Sequence, residues 1–304
     1  MRTRSIGSFE VSVVGLGCNN FGWRIDEART HEVVDAAIDA GITLFDTADI
    51  YGDTESEAFL GRALRGRRDR VVIASKFGKP GEPDLTGGAT PAYVRASLEA
   101  SLRRLGTDRI DLYQLHEPRP ETPIVETLGE LDALVREGKV REIGCSNFSA
   151  TQLRAAAEAA GDGVRFTCVQ NELNLLDRAD VDDALGEARR LDMAYLPYYP
   201  LANGMLTGKY RRGTPAPEGT RLDTWFDEQE RQEALTTERF DRLEALDAFA
   251  ANRGHTLLEL AFGWLLAHGP VASVIAGATA AEQVTRNAAA GAWILDAADL
   301  DAMP

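Results

Sequence analysis

The feature that most constrains this chain of 304 residues is a regular alternation of short β-branched runs with helical stretches along nearly its whole length. The runs lie at about 11–17, 43–48, 70–76, 110–116, 140–146, 166–172, 193–199 and 271–277. Strands joined by helical crossovers lie parallel, and eight such units can close into a barrel. An open doubly wound sheet is the alternative, but the first run lacks the glycine fingerprint of a dinucleotide-binding strand. Because no linker interrupts the repeat, we expect a single (β/α)8 TIM barrel domain over residues 1–304.

Residue choice at the ends of the helical stretches supports this pattern. Thr90 and Pro91 are typical of the start of a helix, and Gly106 is typical of its end. Thr122 and Pro123 repeat the starting pair. Three further starts carry the capping-box pattern, in the pairs Ser149 with Gln152, Thr54 with Glu57, and Thr279 with Glu282.

Three segments fall outside the repeat. Residues 200–235, after the seventh strand, form a stretch too long for a routine connection, and loops of that length are usually functional. Their glycine, proline, arginine and tryptophan content indicates a flap over a ligand. A shorter insertion at 77–91 is expected beside it. The residues before Val11 are expected to form a small hairpin that plugs the bottom of the barrel.

Charge and composition narrow the partners. The formal net charge of −15 argues against nucleic acid or an anionic membrane, because both repel an acidic surface. An anionic ligand would therefore need a local basic pocket. The three cysteines are far apart and the four histidines have no metal-ligand spacing, so no disulfide or metal site is expected. With no signal peptide or membrane-spanning run, we expect a cytoplasmic protein.

Polar side chains recur at the carboxyl ends of successive strands, where barrel enzymes place their active sites. In chain order these residues are Asp46 with Tyr51, Lys76, His116, Ser146 with Asn147, Gln170 with Asn171, Tyr198, and Gly277. Taken singly, each has an ordinary structural explanation, such as a turn, a solvated lysine or a buried histidine. Coincidence at adjacent strand ends is much less probable than one shared site.

The first four of these residues have a specific chemistry in common. A tyrosine hydroxyl, with a pKa of about 10, exchanges protons slowly at neutral pH. A neighbouring lysine ammonium favours the phenolate and lowers that pKa, and a carboxylate holds the lysine in place. A histidine can orient the substrate oxygen. Such a set suits proton donation to a carbonyl oxygen.

The ordered motifs FDTADIYG, ASKFG, DLYQLH, EIGCSNF and YYPLANGMLTGKY resemble those of the aldo-keto reductase family, and the resemblance extends from GLGCNNFG to AGATAAEQVTRNA. It implies a (β/α)8 barrel that binds a nicotinamide dinucleotide without a Rossmann domain. The implied catalytic residues are Tyr51 as general acid, Lys76 and Asp46 as its assistants, and His116 as the group that orients the substrate. The implied cofactor residues are Ser146, Asn147 and Gln170 at the carboxamide, Tyr198 on the nicotinamide ring, Leu201, Gly204, Leu206 and Lys209 along the pyrophosphate, and Gly277, Thr279, Gln283 and Asn287 around the adenosine.

The segment after the eighth strand departs from many family members, which place a basic residue, a serine and an arginine there to bind the 2′-phosphate. Here Gly277, Ala278 and Gln283 stand at those positions, while Arg286 is near but without an assigned direction. Other branches that resemble this AGA…Q pattern use NADPH, so we expect NADP(H), with NAD(H) as the alternative. QNELNLLDR resembles the bacterial branches. Substrate contacts are expected from Trp23, Phe77, Trp225 and Phe226, which favour an apolar or ring-bearing carbonyl compound.

Two alternatives stay open. Lys76 could form a Schiff base in an aldolase-like barrel, although this leaves the SNF, QNE and YYPL motifs unexplained. Some relatives are regulatory subunits of a channel that use the cofactor as a redox sensor, and they also keep the catalytic residues. The expected partner is a small carbonyl or alcohol substrate, and the sequence does not indicate an oligomeric state.

Overall fold

A computed structural model describes residues 1–80 and 86–304 of the chain. The strands within these ranges are β1 (Thr3–Ile6), β2 (Phe9–Ser12), β3 (Val14–Gly17), β4 (Leu44–Asp46), β5 (Val72–Phe77), β6 (Ile110–Leu115), β7 (Val140–Ser146), β8 (Cys168–Glu172), β9 (Ala194–Tyr198) and β10 (Val274–Gly277). The helices are α1 (Glu27–Asp39), α2 (Glu55–Ala63), α3 (Pro91–Leu105), α4 (Ile124–Arg136), α5 (Ala150–Ala160), α6 (Ala184–Arg190), α7 (Arg221–Thr224), α8 (Glu228–Ala234), α9 (Thr237–Ala251), α10 (Leu257–Ala267), α11 (Ala281–Ala290) and α12 (Ala297–Asp301).

Eight of the described strands form one parallel sheet in the spatial order β10-β3-β4-β5-β6-β7-β8-β9. Helices connect successive strands, so the sheet is the (β/α)8 barrel that the sequence predicts, and this prediction is confirmed. The ring closes between β9 and β10 through the bridge of Tyr195 with Val271 rather than through a continuous ladder. At this seam the Tyr195 amide donates to Pro270 (2.7 Å) and the Ala272 amide donates to Tyr195 (3.0 Å).

The prediction of one continuous strand at residues 11–17 is wrong. Its first part belongs to β2, which pairs antiparallel with β1, whereas β3 pairs parallel with β10 and β4. The side chain of Ser12 marks the change of partner. Its hydroxyl donates to the carbonyl of Val14 (2.6 Å) and accepts from the amide of Thr43 (2.8 Å), so the chain leaves the hairpin and enters the barrel there.

The predicted hairpin is present and slightly longer than expected, since it reaches Ser12. Ile6, Phe9 and Val11 are buried and pack against residues inside the barrel. Those partners are Leu44, Val72, Ala74, Leu112, Cys168, Leu196, Ala272 and Ile275. The hairpin therefore fills the amino-terminal end of the barrel and leaves the carboxyl ends of the strands for a site. A second, larger core lies between the sheet and the helices.

Several predicted helix ends are confirmed. Thr90 caps α3 by accepting from Tyr93, Pro91 is its first residue, and Gly106 ends it in a left-handed conformation. Ser149 and Gln152 form the predicted capping box of α5.

Other predicted caps are wrong. Pro123, not Thr122, precedes α4 and forms no side-chain cap. Thr54 makes no capping bond, since its backbone is left-handed (φ 79°) rather than extended, and the carboxylate of Glu57 accepts from Ser75 and Arg104 instead of returning to the helix start. Thr279 bonds Gln283 rather than pairing with Glu282.

The flap predicted at 200–235 contains more regular structure than expected. It begins with a 3₁₀ segment at Ala202–Thr207 and includes the short helices α7 and α8. Part of the insertion predicted at 77–91, residues 81–85, lies outside the described residues. In the part of the chain that the structure describes, no helix has both the length and the apolar character needed to cross a bilayer.

Candidate active site

A cavity of about 870 Å³ opens at the carboxyl ends of the strands. Three of the four predicted catalytic residues line it, namely Asp46, Tyr51 and His116. The fourth, Lys76, is fully buried directly behind Tyr51. These four side chains, which come from three separate parts of the sequence, thus meet because parallel strands bring their carboxyl ends to the same end of the barrel.

Lys76 is the centre of this group. Its ammonium donates to Asp46 Oδ2 (2.7 Å), to the carbonyl oxygen of Thr47 (2.9 Å) and to the hydroxyl oxygen of Tyr51 (3.4 Å). The other carboxylate oxygen of Asp46 accepts from Gln170 Nε2 (2.8 Å) and Gln114 Nε2 (3.4 Å). Every hydrogen of the ammonium is therefore directed at an oxygen, as a buried charge requires.

Burial and charge act in opposite directions on this pair. Burial alone would lower the pKa of Lys76, but Asp46 and Tyr51 outweigh it and the pKa of the ammonium is raised. For Tyr51, burial raises the pKa of the phenol by more than Lys76 lowers it. The lowering by lysine expected from the sequence is present, but the net shift has the opposite sign. Tyr51 therefore keeps its proton at neutral pH, which suits an acid that donates during reduction.

His116 follows β6 and lies edge-on to the ring of Tyr51, with ring centroids 5.9 Å apart. Burial, with smaller contributions from Lys76 and Lys79, holds the pKa of its imidazole well below the ordinary value. The ring is therefore neutral at pH 7. A neutral imidazole beside Tyr51 can hydrogen-bond a carbonyl oxygen without competing as a proton donor.

The ends of β7, β8 and β9 form a connected wall. Asn147 has a left-handed backbone (φ 62°), a conformation that asparagine tolerates. Its amide nitrogen donates to the carbonyl of His116 (2.8 Å), and its amide oxygen accepts from the hydroxyl of Tyr198 (2.8 Å). Ser146 Oγ donates to the carbonyl of Gln170 (2.6 Å). These four predicted cofactor residues, Ser146, Asn147, Gln170 and Tyr198, all line the cavity.

The flap contributes the next part of the wall. Gly204 has φ 93°, and a Cβ there would lie 2.8 Å from the ammonium nitrogen of Lys209. Glycine thus permits both the turn and the approach of Lys209. Leu201, Gly204 and Lys209 line the cavity, whereas Leu206 is fully buried in the core and does not reach it.

The far end of the cavity lies at α11. Gly277, Thr279, Gln283 and Asn287, which the family resemblance assigns to the adenosine, line the cavity there. A Cβ on Gly277 would lie 3.0 Å from Asn20 Nδ2, so glycine lets the end of β10 approach the loop after β3. Arg286 also lines this cavity.

Cations gather along the cavity although the chain is acidic overall. Arg24, Lys79, Lys209, Arg221 and Arg286 line it, and none forms an ion pair with an acidic side chain in the described ranges 1–80 and 86–304. Burial, then Arg24 and Arg286, lower the pKa of Lys209, and burial lowers that of Arg221. Five cations that line one cavity without an acidic partner among the described residues form the local basic pocket that a polyanionic ligand needs.

Aromatic side chains surround the opening beside Tyr51. Trp23 lies 6.0 Å from Tyr51 and 6.2 Å from Trp225, measured between ring centroids. Trp23, Tyr199 and Trp225 line the cavity and are between 38% and 45% exposed. A flat or apolar substrate would cover this surface.

Two predicted substrate contacts depart from the expectation. Phe77 follows Lys76 on β5, so its side chain points to the opposite face of the sheet. It is fully buried and stacks on Tyr113 at 4.7 Å. Phe226 lines a neighbouring cavity with Phe148 rather than the cavity beside Tyr51.

Sequence reasoning missed several lining residues. Asn20 and Arg24 follow β3, a strand end for which the sequence predicts no site residue, although both lie in or just after the motif GLGCNNFG. Arg24 reaches across the cavity and donates to the carbonyl of Gly219 in the flap (2.6 Å). Arg221 stacks over Trp225 at 4.3 Å, an arrangement that depends on how the flap folds. No group of three or more His, Cys, Asp and Glu side chains suited to a metal occurs among the described residues.

Asp49 is a buried carboxyl on the loop that carries Tyr51. It is fully buried, and neither carboxyl oxygen has a hydrogen-bond partner among the described residues. Burial, followed by repulsion from Glu57, raises the pKa of Asp49 to about 8. The group is therefore largely protonated at pH 7.

We expect Asp49→Asn to stabilise the protein in a pH-dependent way. Between the ordinary pKa of about 4 and the folded value of about 8, the folded state binds more protons than the unfolded chain. Native stability therefore falls as pH rises through this window, and an uncharged amide removes the loss. The expected gain in unfolding free energy is about 2–5 kcal/mol at pH 8 and close to zero at pH 4. Urea unfolding across this range measures it.

Asp162→Asn is the matched control, because Asp162 lies exposed in the loop after α5. It should change stability by less than about 0.5 kcal/mol at either pH. An equal effect of Asp49→Asn at pH 4 and pH 8 would contradict the assignment of a raised pKa.

Known proteins resemble the chain over almost all of its length. The model of the Aldo/keto reductase family matches residues 13–303. A curated relative from Glycine max, named "Probable aldo-keto reductase 1", is 34% identical over 300 residues, which cover 96% of this chain and 84% of the relative.

Two solved bacterial structures share the fold. The glycerol dehydrogenase AKR11B4 from Gluconobacter oxydans has a TM-score of 0.84 at 31% identity, over 99% of this chain and 93% of that chain. The aldo-keto reductase AKR11C1 from Bacillus halodurans, in its holo form, has a TM-score of 0.81 at 30% identity, over 99% and 94%. Together with the barrel and its strand-end site, these matches show that the chain belongs to the aldo/keto reductase family of NAD(P)H-dependent oxidoreductases that act on carbonyl compounds.

Proposed function

We propose that this protein reduces aldehydes or ketones with NADPH and that Tyr51 donates the proton. The observation that carries the proposal is a single cavity that joins Tyr51, His116 and the Lys76–Asp46 pair to five cations that form no ion pair within residues 1–80 and 86–304. The first group has proton-donating chemistry, and the second suits a dinucleotide phosphate.

We assign the residues along the cavity to successive parts of the cofactor. Ser146, Asn147 and Gln170 would bond the carboxamide, and Tyr198 would contact the nicotinamide ring. Leu201, Gly204 and Lys209 would lie along the pyrophosphate, while Gly277, Thr279, Gln283 and Asn287 would surround the adenosine. When bound, the reduced nicotinamide supplies a hydride to the carbonyl carbon. Leu206 would act only by packing behind the flap, since it is fully buried.

The protein's own part is to place and protonate the substrate oxygen. His116, neutral at pH 7, would donate a hydrogen bond that fixes the oxygen beside Tyr51. Tyr51 would then transfer its phenolic proton to that oxygen as the carbon receives the hydride. Lys76 would stabilise the phenolate left behind, and Asp46 would keep the ammonium in place.

The aromatic opening supports a ring-bearing or apolar carbonyl compound as substrate. Trp23, Tyr199 and Trp225 offer exposed ring faces within reach of Tyr51. Stacking on these faces would bury apolar area on both partners. Phe77 and Phe226 lie away from this opening and are not part of the proposal.

A Schiff-base mechanism is disfavoured by the state of Lys76. A lysine nucleophile needs a free amine, whereas the pKa of Lys76 is raised and its ammonium donates to three oxygens. Borohydride with a carbonyl substrate should therefore trap no adduct. A regulatory, catalytically quiet role would show instead as tight cofactor binding without turnover across a panel of aldehydes.

Cofactor titration tests the proposal. Two of the four tryptophans, Trp23 and Trp225, line the cavity, so a bound nicotinamide should quench the fluorescence. We expect micromolar affinity for NADPH and at least roughly tenfold weaker affinity for NADH. Trp225→Phe should reduce the quenching while the protein still binds. Absence of binding by either cofactor would overturn the proposal.

A further inference from the structure

We propose that Arg286 is the residue that distinguishes NADPH from NADH by binding the 2′-phosphate. This inference rests on the proposed function, because it assumes a dinucleotide with its nicotinamide beside Tyr51. It concerns the opposite end of the cavity, where α11 begins. That end carries the residues placed around the adenosine, and within the described ranges Arg286 is the one cation that α11 contributes to the lining.

The start of α11 leaves room for a phosphate. Ala280 precedes the helix and has no side chain that could cap the free amide groups. Such groups attract negative charge, and the helix dipole adds to the attraction. No side-chain cap bond forms at this helix start, and Thr279 instead donates from both its amide (2.8 Å) and its hydroxyl (3.3 Å) to Gln283 Oε1.

Gln283 is thereby held in place without supplying charge. Its amide oxygen is engaged by Thr279, and a neutral amide offers a phosphate much less than a cation does. Of the side chains that line this end, Thr279, Gln283 and Asn287 are all neutral. These three side chains can position a phosphate and hydrogen-bond it, but the positive charge that would neutralise it must come from another residue.

Arg286 supplies that charge. It lies three residues after Gln283 on α11, so the two side chains share a face of the helix. It lines the cavity and forms no ion pair with an acidic side chain within residues 1–80 and 86–304. Arg286 is close enough to the flap for its positive charge to contribute to the lowered pKa of Lys209. A planar guanidinium can bind two phosphate oxygens at once.

The other cations belong to a different part of the ligand. Lys209 and Arg221 are on the flap, and Arg24 joins it through Gly219. In the proposed pose the pyrophosphate lies along the flap, beside these cations. The pyrophosphate is common to NADPH and NADH, so these residues should bind both cofactors. Arg286 should matter for the cofactor that carries the additional phosphate.

Equilibrium binding to variants separates these roles without any turnover. Dissociation constants are measured by fluorescence titration with NADPH and NADH, and by calorimetry with the fragments 2′,5′-ADP and 5′-AMP. The variants are Arg286→Gln, Arg286→Lys, Lys209→Gln and, as a charge-matched control, Arg65→Gln. Arg65 is exposed near the end of α2 and lies outside the cavity.

For Arg286→Gln we expect roughly ten- to a hundredfold weaker binding of NADPH and 2′,5′-ADP, the range typical of a lost charge-assisted hydrogen bond. Binding of NADH and 5′-AMP should change by less than about twofold. Arg286→Lys should give an intermediate loss, because it keeps the charge but not the planar fork. Lys209→Gln should weaken NADPH and NADH alike, and Arg65→Gln should weaken neither.

Equal weakening of NADPH and NADH by Arg286→Gln would overturn the assignment, and so would unchanged binding of both. Either result leaves the proposed function intact, provided that the wild type binds both cofactors. Failure of the wild type to bind NADPH or NADH would instead remove the proposed function. The two failures are therefore distinguishable.

Discussion

Replacing Tyr51 with phenylalanine is expected to lower kcat by about 10²–10⁴, the usual contribution of a positioned general acid. The variant loses the hydroxyl that accepts from Lys76 but keeps the ring that packs edge-on against His116. Cofactor affinity should change by less than about twofold, because the proposed cofactor contacts lie elsewhere in the cavity. Loss of reduced-nicotinamide absorbance with ring-bearing aldehydes measures kcat, and fluorescence titration measures affinity.

Tyr113→Phe is a matched control for this substitution. Tyr113 is fully buried on β6, and its hydroxyl has no hydrogen-bond partner among the described residues. Removing that hydroxyl should leave kcat within about threefold of the wild type. Retention of normal turnover by Tyr51→Phe, with Tyr113→Phe equally active, would exclude Tyr51 as the proton donor.

The pH dependence of the wild type follows from the same group. Because burial raises the pKa of Tyr51, the phenol stays protonated through the neutral range. Turnover in the direction of reduction should therefore be level around pH 7 and fall only at alkaline pH, as the proton is lost. His116 should add no ionisation near pH 7, since its pKa is held well below the ordinary value. The residual activity of Tyr51→Phe should lack the alkaline decline.

Removing the ammonium of Lys76 is expected to damage both stability and turnover. Lys76→Met leaves the carboxylate of Asp46 buried without its cation, and breaking one side of a buried ion pair costs about 3–5 kcal/mol of unfolding free energy. Tyr51 would also lose the charge that stabilises its phenolate. Chemical denaturation measures the first effect, and kcat measured well below the unfolding transition measures the second.

The double variant Asp46→Asn/Lys76→Met separates the two effects. Without the carboxylate, no uncompensated charge remains in the site, so at least half of the lost stability should return. Turnover should stay low, because the lysine is still absent. A double variant as unstable as Lys76→Met would show that the loss comes from packing rather than from the charge of Asp46.

Much of the site could be predicted because parallel strands bring their carboxyl ends to one edge. That rule alone relates Asp46, Lys76, His116 and Tyr198, which are far apart in sequence. The alternation of side chains along a strand also bears on Phe77, which must face away from the site if Lys76 faces toward it. The position of Phe77 could therefore be predicted from the sequence, because successive side chains on a strand point to opposite faces of the sheet.

Other features depend on contacts that no local pattern contains. Arg24 meets Gly219 only after the flap has folded over the barrel, about two hundred residues later in the chain. The break between β2 and β3 depends on the bonds between Ser12 and Thr43. The net pKa shift of Tyr51 depends on how fully the ring is buried, which overrides the effect of the neighbouring lysine.

A bound dinucleotide would stabilise the seam of the barrel, where β9 meets β10. Between β9 and β10 the closure is made by the hydrogen bonds around Tyr195, whereas the neighbouring pairs share longer ladders. A cofactor bound as proposed would contact Tyr198 at the end of β9 and Gly277 at the end of β10. It would therefore link the two strands at their carboxyl ends. Resistance of this seam to local opening would then grow with the logarithm of cofactor concentration. Local opening of the seam would thus depend on whether the nicotinamide cofactor is bound, even in the absence of a substrate.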